Sequence, residues 1–278
     1  MVQLEVTIVE KLEEVVCNIC ESKDCSAYLM MDGYSYQKCN ECGLVYQNPR
    51  PVFDDLRKRY RDNYFEYEIK NQENFFNLMK LGLRDIGFDL LFPEGETGRS
   101  FLDIGCATGL LLNHMKHRGW KTKGVEICRE SVEYATEQFD LDLFIGTLPE
   151  AAFEDRSFDV VHFSHLIEHV SDPKTLLLEV KRILKPHGHV ILTTPNVDGF
   201  QAKYARTSWR SAIPDHVYLF SKKTMRLILG QTGFKIIKQI SWGGIPAGKR
   251  VKLFKSPADR FAKLFNVGDV MLFHCTLA

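Results

Sequence analysis

The sequence predicts an α/β protein built on a doubly wound, mostly parallel sheet of seven strands, with a small metal-stapled segment in front of it. Three observations predict this. From residue 100 onward, short apolar runs alternate with helical segments, the pattern of right-handed crossovers in a sheet covered on both faces. The first of these runs ends in a loop of small residues. Ahead of it stand four cysteines in two closely spaced pairs.

The chain has 278 residues, enough for one large domain with an appendage. Its 36 Lys and Arg balance 36 Asp and Glu, so no global charge draws it to nucleic acid or to an anionic membrane, and neither partner is expected. The longest stretches free of charged side chains, 104–115 and 186–197, hold twelve residues each, short of the roughly 18–20 that a membrane helix needs. The opening MVQLEVTIVEKLEE mixes acidic residues into its apolar positions and does not read as a secretory leader. The expected compartment is the cytoplasm.

Cys17-Asn18-Ile19-Cys20 and Cys39-Asn40-Glu41-Cys42 are separated by eighteen residues, the spacing of a four-thiolate zinc site. Zinc takes four soft ligands at tetrahedral corners, and each C-x2-C turn supplies two thiolates. Two disulfides would use the same cysteines but are disfavoured in a reducing compartment. Residues 1–50 are therefore expected to form a zinc-binding knuckle on Cys17, Cys20, Cys39 and Cys42, with Asp32-Gly33 as a hairpin turn and Gly43 as the turn after the second pair. A piece this small needs such a staple. Residues 51–97 carry a helical rhythm with Tyr60, Tyr64, Phe65, Tyr67, Phe75 and Phe76 and are expected to be a helical cover.

Residues 98–278 are expected to be the α/β domain. Strands are predicted at 101–104, 123–127, 141–145, 158–163 and 189–193, and two further strands at 234–241 and 269–276 close the sheet as an antiparallel pair. Ser171-Asp172-Pro173 opens one helix with a cap and a first-turn proline, and Lys185-Pro186-His187-Gly188 is expected to stop it. Residues 195–220 form an insertion too long for an ordinary connection, expected to roof a substrate site.

Asp103-Ile104-Gly105-Cys106-Ala107-Thr108-Gly109 lies where the first parallel strand turns into its helix. Small residues at 105, 107 and 109 let the backbone approach a ligand, and the Asp103 carboxylate is expected to face that ligand. A carboxylate there suits a cationic or zwitterionic ligand and is unwelcome beside a pyrophosphate, which argues against the nicotinamide-dependent oxidoreductase alternative. Seventeen residues past Gly109, Glu126 closes the second strand, where a carboxylate can accept both hydroxyls of a ribose.

The motifs Asp103 to Gly109, Glu126, Phe158-Asp159-Val160-Val161 and Leu184-Lys185-Pro186-His187-Gly188-His189 resemble those of class I S-adenosylmethionine-dependent methyltransferases, over about residues 98–277. The resemblance implies a Rossmann-like fold, S-adenosylmethionine as cofactor and a small-molecule acceptor. The cofactor residues it implies are Asp103, Gly105, Cys106, Ala107, Gly109, Glu126, Ile127, Thr147, Leu148, Phe163 and Ser164. The front segment, with Gly33-Tyr34 and Asn48-Pro49-Arg50-Pro51, resembles the zinc segment of a bacterial methyltransferase group and is expected to serve as a lid or a homodimer contact. Phe163-Ser164-His165-Leu166-Ile167-Glu168-His169-Val170 resembles the E-x-x-E-H-V segment of ubiquinone-type O-methyltransferases, where a divalent metal can orient a hydroxyl; His165 stands in place of the first Glu. As H-x-x-E-H it also matches an inverted zinc-peptidase motif, but that motif needs a long helix, and this stretch follows a parallel strand directly. Asp215-His216-Val217-Tyr218-Leu219-Phe220-Ser221 resembles the family's H-x-x-x-F-S stretch. His165 and His216 are the candidate catalytic residues, with Glu168 and His169 expected to hydrogen-bond within the fold. O-methylation of a hydroxylated metabolite or sugar is the expected activity, and an interaction module on a degenerate methyltransferase fold is the non-enzymatic alternative.

Overall fold

The computed structural model describes residues 10–60, 63–95, 97–243 and 262–278. The expectation about the chain's opening falls mostly on residues 1–9, outside the described residues. The front segment holds β1 (Leu12–Glu13), β2 (Cys25–Met31), β3 (Tyr34–Cys39), β4 (Val45–Gln47) and β5 (Arg50–Pro51). Asp32 and Gly33 turn β2 into β3 with φ of 46° and 85°, the left-handed pair that suits a two-residue hairpin. The Cys39 to Cys42 turn then leads β3 into β4.

The cover comprises α1 (Phe53–Lys58), α2 (Asn63–Ile86) and α3 (Phe88–Leu91), as the aromatic rhythm predicts. At 24 residues α2 spans about 36 Å and is tied down at both ends. Its Glu68 carboxylate accepts from the Ser131 hydroxyl, and its Asp85 accepts from Trp242 Nε1 at 2.7 Å and Lys263 Nζ at 2.6 Å.

The α/β core runs β6 (Ser100–Ile104), α4 (Leu110–His117), β7 (Lys121–Glu126), α5 (Arg129–Phe139), β8 (Leu143–Ile145), β9 (Phe158–Ser164), α6 (Pro173–Ile183) and β10 (Leu184–Pro195). The insertion follows, with α7 (Phe200–Ala205), a single 3-10 turn and β11 (Tyr218–Leu219). The chain ends in α8 (Lys222–Gln231), β12 (Phe234–Trp242) and β13 (Val270–Leu277). The main sheet has the order β12-β13-β10-β9-β6-β7-β8. From β10 to β8 all pairs are parallel, and β13 is antiparallel to both its neighbours. This is the predicted Rossmann-like sheet.

Period-two alternation sends successive strand residues to opposite faces. Leu102, Ile104, Val161, Phe163, Val190 and Leu192 pack on one face with the knuckle, α6 and α8. Phe101, Val160, Ile191 and Leu272 pack on the other beneath α2, α3 and α4. Among the described residues no helix is long and apolar enough to cross a membrane.

Asp172 caps α6 by accepting from Thr175 N at 3.0 Å, with Pro173 in the first turn. Asn18, between the first two cysteines, accepts from Lys174 N at 3.1 Å and donates to Asp172 Oδ1 at 2.9 Å, fastening the knuckle onto that helix end. The expected stop at Lys185–Gly188 falls inside β10 instead. The helix has already ended at Ile183, Leu184 is extended, and the four residues are taken up in a register shift between Leu184 and His189.

The insertion does not stand apart as a loop. Its β11 pairs antiparallel with β4, giving a second sheet of order β11-β4-β3-β2 in which three strands come from the knuckle and one from the 195–220 insertion.

Candidate active site

Chain order reverses between β6 and β9, and in open α/β sheets ligands bind beyond the carboxyl ends of the strands at such a switch point. The loop after β6 and the loop after β9 both end there. Gly105 has φ 69° and Gly109 φ 76°. A Cβ on Gly109 would stand 2.6 Å from Leu141 Cδ1 and 3.0 Å from Ala135 Cβ, so this position needs glycine for conformation and for space. Ala107 has φ 49° and its N–H donates to Glu126 Oε2 at 3.0 Å, which pins the loop to the end of β7.

Glu126 is buried. Its Oε1 also accepts from Ile127 N at 2.8 Å and Cys128 N at 2.9 Å. Burial still raises its pKa, against these backbone donors. Glu68 of α2 lies close by, bonded to Ser131, and burial together with the Glu126 charge pushes its pKa up to about 8. Tyr60 and Tyr64 are enclosed beside it, with ring centroids 4.9 Å apart. Burial raises both hydroxyls, with Glu126 contributing to each and Asp215 and Glu168 to Tyr60. The cover therefore reaches into the switch-point crevice through Tyr60, Tyr64 and Glu68, none of which was singled out as a site residue. Tyr64 and Glu68, four apart on one helix face, were a readable signal.

A Glu whose folded pKa exceeds its unfolded value binds a proton in the native state that it lacks when unfolded, so stability falls as pH rises between the two values. Replacing Glu68 by Gln removes this slope. From pH 6 to 8 the wild type is expected to lose about 1 kcal/mol per pH unit more than Glu68→Gln. Urea denaturation at both pH values measures it, and parallel slopes would show Glu68 to be ionised.

Asp103 differs from expectation in its partner. Alternation places it on the face of Phe101, opposite His162 of β9, and its Oδ1 lies 2.7 Å from His162 Nδ1 with both side chains buried. Its partner in the fold is this imidazole, which stacks on Phe101. Phe163 and Leu148 are core side chains, 0% and 2% exposed. Cys106 is buried, which raises its thiol. Thr147 donates through N and Oγ1 to Glu150 Oε2 at 2.7 and 2.9 Å. Ser164 bonds Thr193. Ile127 contributes a backbone donor to Glu126.

The titratable cluster lies beyond the ends of β9 and β10. His165 has φ 53°, and its side chain is 32% exposed with Nδ1 3.2 Å from Glu168 Oε1. Glu168 is buried; its Oε2 accepts from Thr194 Oγ1 at 2.9 Å, while Oε1 has no aligned hydrogen-bond partner. Burial opposes the Glu168 charge, but His165 beside it and the imidazoles of His169 and His216 hold its pKa down to about 2. His216, from the insertion, joins His169 with ring centroids 4.5 Å apart, edge to face. His169 Nδ1 is 2.9 Å from Asp215 O, and His216 Nδ1 is 2.7 Å from Ser211 O. A carbonyl only accepts, so each Nδ1 carries the proton and each Nε2 keeps a lone pair. Burial lowers both pKa values, that of His169 to about 3, so both rings are neutral at pH 7. One donor atom each from Glu168, His169 and His216 lie within 4.8 Å of one another. Only the pairing of insertion and knuckle brings His216 to this pair.

The four knuckle cysteines converge as expected. Cys17 and Cys42 Sγ are 3.4 Å apart, as are Cys20 and Cys39 Sγ, far beyond a disulfide bond and near the edge of about 3.8 Å that a tetrahedral zinc with 2.3 Å Zn–S bonds requires. Burial works against the Cys39 thiolate, yet donors from Cys42 N–H, the Cys20 thiol and Glu41 N–H bring its pKa down to about 7. The set therefore fits a structural zinc ion. Elemental analysis should give one zinc per chain, with Cys39→Ser losing it and becoming protease-sensitive around residues 17–47; a metal-free chain with an intact knuckle would refute the assignment.

Comparisons with known proteins bear on this geometry. Residues 79–239 match the family model described as a methyltransferase domain. Two curated relatives are named ubiquinone biosynthesis O-methyltransferase. The one from Vibrio atlanticus is 29% identical over 150 residues, covering 52% of this chain and 60% of that protein. The one from Idiomarina loihiensis is 33% identical over 130 residues, covering 44% and 53%. The chain thus spans somewhat over half the length of these relatives. A solved S-adenosylmethionine-dependent methyltransferase from Archaeoglobus fulgidus superposes with a TM-score of 0.55 at 20% identity, over 77% of this chain and 100% of the other, a likeness of fold.

Proposed function

The chain belongs to the methyltransferase domain family, and from that premise we propose that it moves the methyl group of S-adenosylmethionine to a hydroxyl of a small molecule. The observation that carries the reading is the neutral His216 beside the switch-point crevice, its Nδ1 proton committed to Ser211 O and its Nε2 lone pair left to accept a proton. The curated relatives' shared name supports oxygen as the acceptor atom.

S-adenosylmethionine supplies an electrophilic methyl group on a sulfonium. When bound, it would give that methyl to the acceptor oxygen, the C–S electron pair staying on sulfur as S-adenosylhomocysteine. Nε2 of His216 would take the acceptor's proton. Positioning the two reactants supplies most of the acceleration in such a displacement, and the base adds its share by making the oxygen a better nucleophile. Glu126 would hold the ribose hydroxyls and the Gly105–Gly109 loop the methionine part. Tyr60, whose hydroxyl feels the charges of both Glu126 and Glu168, stands between the cofactor end and the histidines.

A second reading of the same cluster rests on the convergence of Glu168, His169 and His216, one donor atom from each lying within 4.8 Å of the others. They make a carboxylate and two-imidazole donor set, and both rings are oriented by backbone carbonyls as metal-bound histidines are. A divalent cation held there would lower the pKa of the acceptor hydroxyl in place of a base. Turnover lost on dialysis against EDTA and restored by magnesium or manganese selects this reading; unchanged turnover selects His216 as the base.

The deciding experiment is calorimetric titration of ligand-stripped protein with S-adenosylhomocysteine, using NADH as competitor, followed by a screen for S-adenosylhomocysteine release over hydroxylated aromatics and sugars. Micromolar binding of S-adenosylhomocysteine alone, with release on a hydroxylated compound, is expected. Binding of neither ligand would bring the interaction-module alternative forward.

A further inference from the structure

The knuckle's strands end against the backbone that carries His216. Tyr36 of β3 and Gln47 of β4 stand directly opposite each other, both 0% exposed, and the Cys39 to Cys42 turn joins their strands. Gln47 Nε2 donates to Tyr36 Oη at 2.7 Å and to Pro214 O at 2.6 Å. Tyr36 Oη is 3.0 Å from Ile213 O and 2.9 Å from His216 O, its single proton shared between two carbonyls. Gln47 N donates to Val217 O at 2.9 Å. Asp215 O is the acceptor of His169 Nδ1–H. The carbonyls from Ile213 to Val217 thus accept from Tyr36 and Gln47 of the knuckle and from His169, while Arg59 Nη1 adds a second donor at Pro214 O, 3.0 Å away, and His216 N one at Ile213 O.

We propose that Tyr36 and Gln47 are positioning residues for His216 and His169: the cysteine-pair hairpin is the part of the molecule that places the substrate-side imidazoles. The inference rests on the reading of His216 as a reacting group for its functional meaning, while its geometric content stands on the hydrogen bonds alone. A carbonyl in a segment without helix or sheet partners needs a donor, and here Tyr36 and Gln47 supply donors to four of the five from a two-strand frame closed by the cysteine turn. Neither residue touches the crevice loops at 105–109 or at Glu126 in any hydrogen bond described above, so their effect is confined to the acceptor side.

The test uses the full chain with its metal, labelled with 15N-histidine. In the wild type, His216 and His169 should each show a slowly exchanging Nδ1–H signal, because each proton is held by a backbone carbonyl. Tyr36→Phe, which keeps the ring and removes the hydroxyl, and Gln47→Met, which keeps the length and removes the donors, should each speed exchange of the His216 signal by roughly tenfold or more. Affinity for S-adenosylhomocysteine should stay within about twofold, and zinc content should be unchanged. An unchanged His216 signal in both variants overturns the proposal, as does a parallel loss of cofactor affinity, which would mark the two residues as general supports of the fold. Because the readout needs no acceptor, failure of the base reading, seen as full turnover in His216→Ala, is recognised separately.

Discussion

His216→Ala is expected to cut S-adenosylhomocysteine release on the best hydroxylated acceptor by about 10²- to 10³-fold, the usual range for losing a general base. Cofactor affinity should change by less than about twofold. The size follows from the surroundings. Among the imidazoles of the cluster, His216 is the one that comes from the 195–220 insertion, and burial, which lowers its pKa, leaves it neutral at pH 7 and ready to take a proton. Water cannot readily replace it, since the ring is 6% exposed. Full turnover in His216→Ala would remove it from the mechanism. Equal loss of turnover and of S-adenosylhomocysteine binding would make it a packing residue of the roof.

Glu126→Ala is the second large effect. Its carboxylate accepts three backbone N–H groups, from Ala107, Ile127 and Cys128, so truncation frees the glycine loop from β7 and removes the acceptor proposed for the ribose hydroxyls together. Charged hydrogen bonds contribute about 1.5–3 kcal/mol each, so losing the ribose contacts and the loop anchor should weaken S-adenosylhomocysteine binding by about 100-fold or more. Asp103→Asn should cost less, roughly tenfold, because Asn keeps a side-chain oxygen for His162 and only the negative charge is lost. Calorimetry on both variants checks the order. Unchanged affinity in both would move the cofactor site away from the switch point.

Much of the fold was legible because the signals are local. Alternating apolar runs marked the parallel strands, Asp172-Pro173 marked a helix start, and Asp32-Gly33 marked a hairpin; each depends on the conformational preference of one or two residues. The glycine loop and Glu126 were legible for the same reason, since the positive φ at Gly105 and Gly109 and the place of an acid at a strand end are set by neighbours in sequence. The convergence of the cysteine pairs was legible from their spacing, which is the one that lets four thiolates reach tetrahedral corners.

What the sequence by itself determined is therefore the element order, the glycine loop after the first core strand and the convergence of the four cysteines. Only the tertiary structure decided which long-range groups meet. Asp103 turned to His162 because pleat and register placed them opposite each other on adjacent strands, a relation that no spacing along the chain records. Glu68 came close to Glu126 because α2 packs against α5, whose Ser131 donates to it. His216 came to Glu168 and His169, some fifty residues away in the chain, because β11 added to the knuckle sheet and Tyr36 and Gln47 supplied donors for the carbonyls around it. Local propensity acts over a few residues, whereas a buried polar group takes whichever partner the packed chain brings within hydrogen-bond reach, and that choice exists only once the fold has formed.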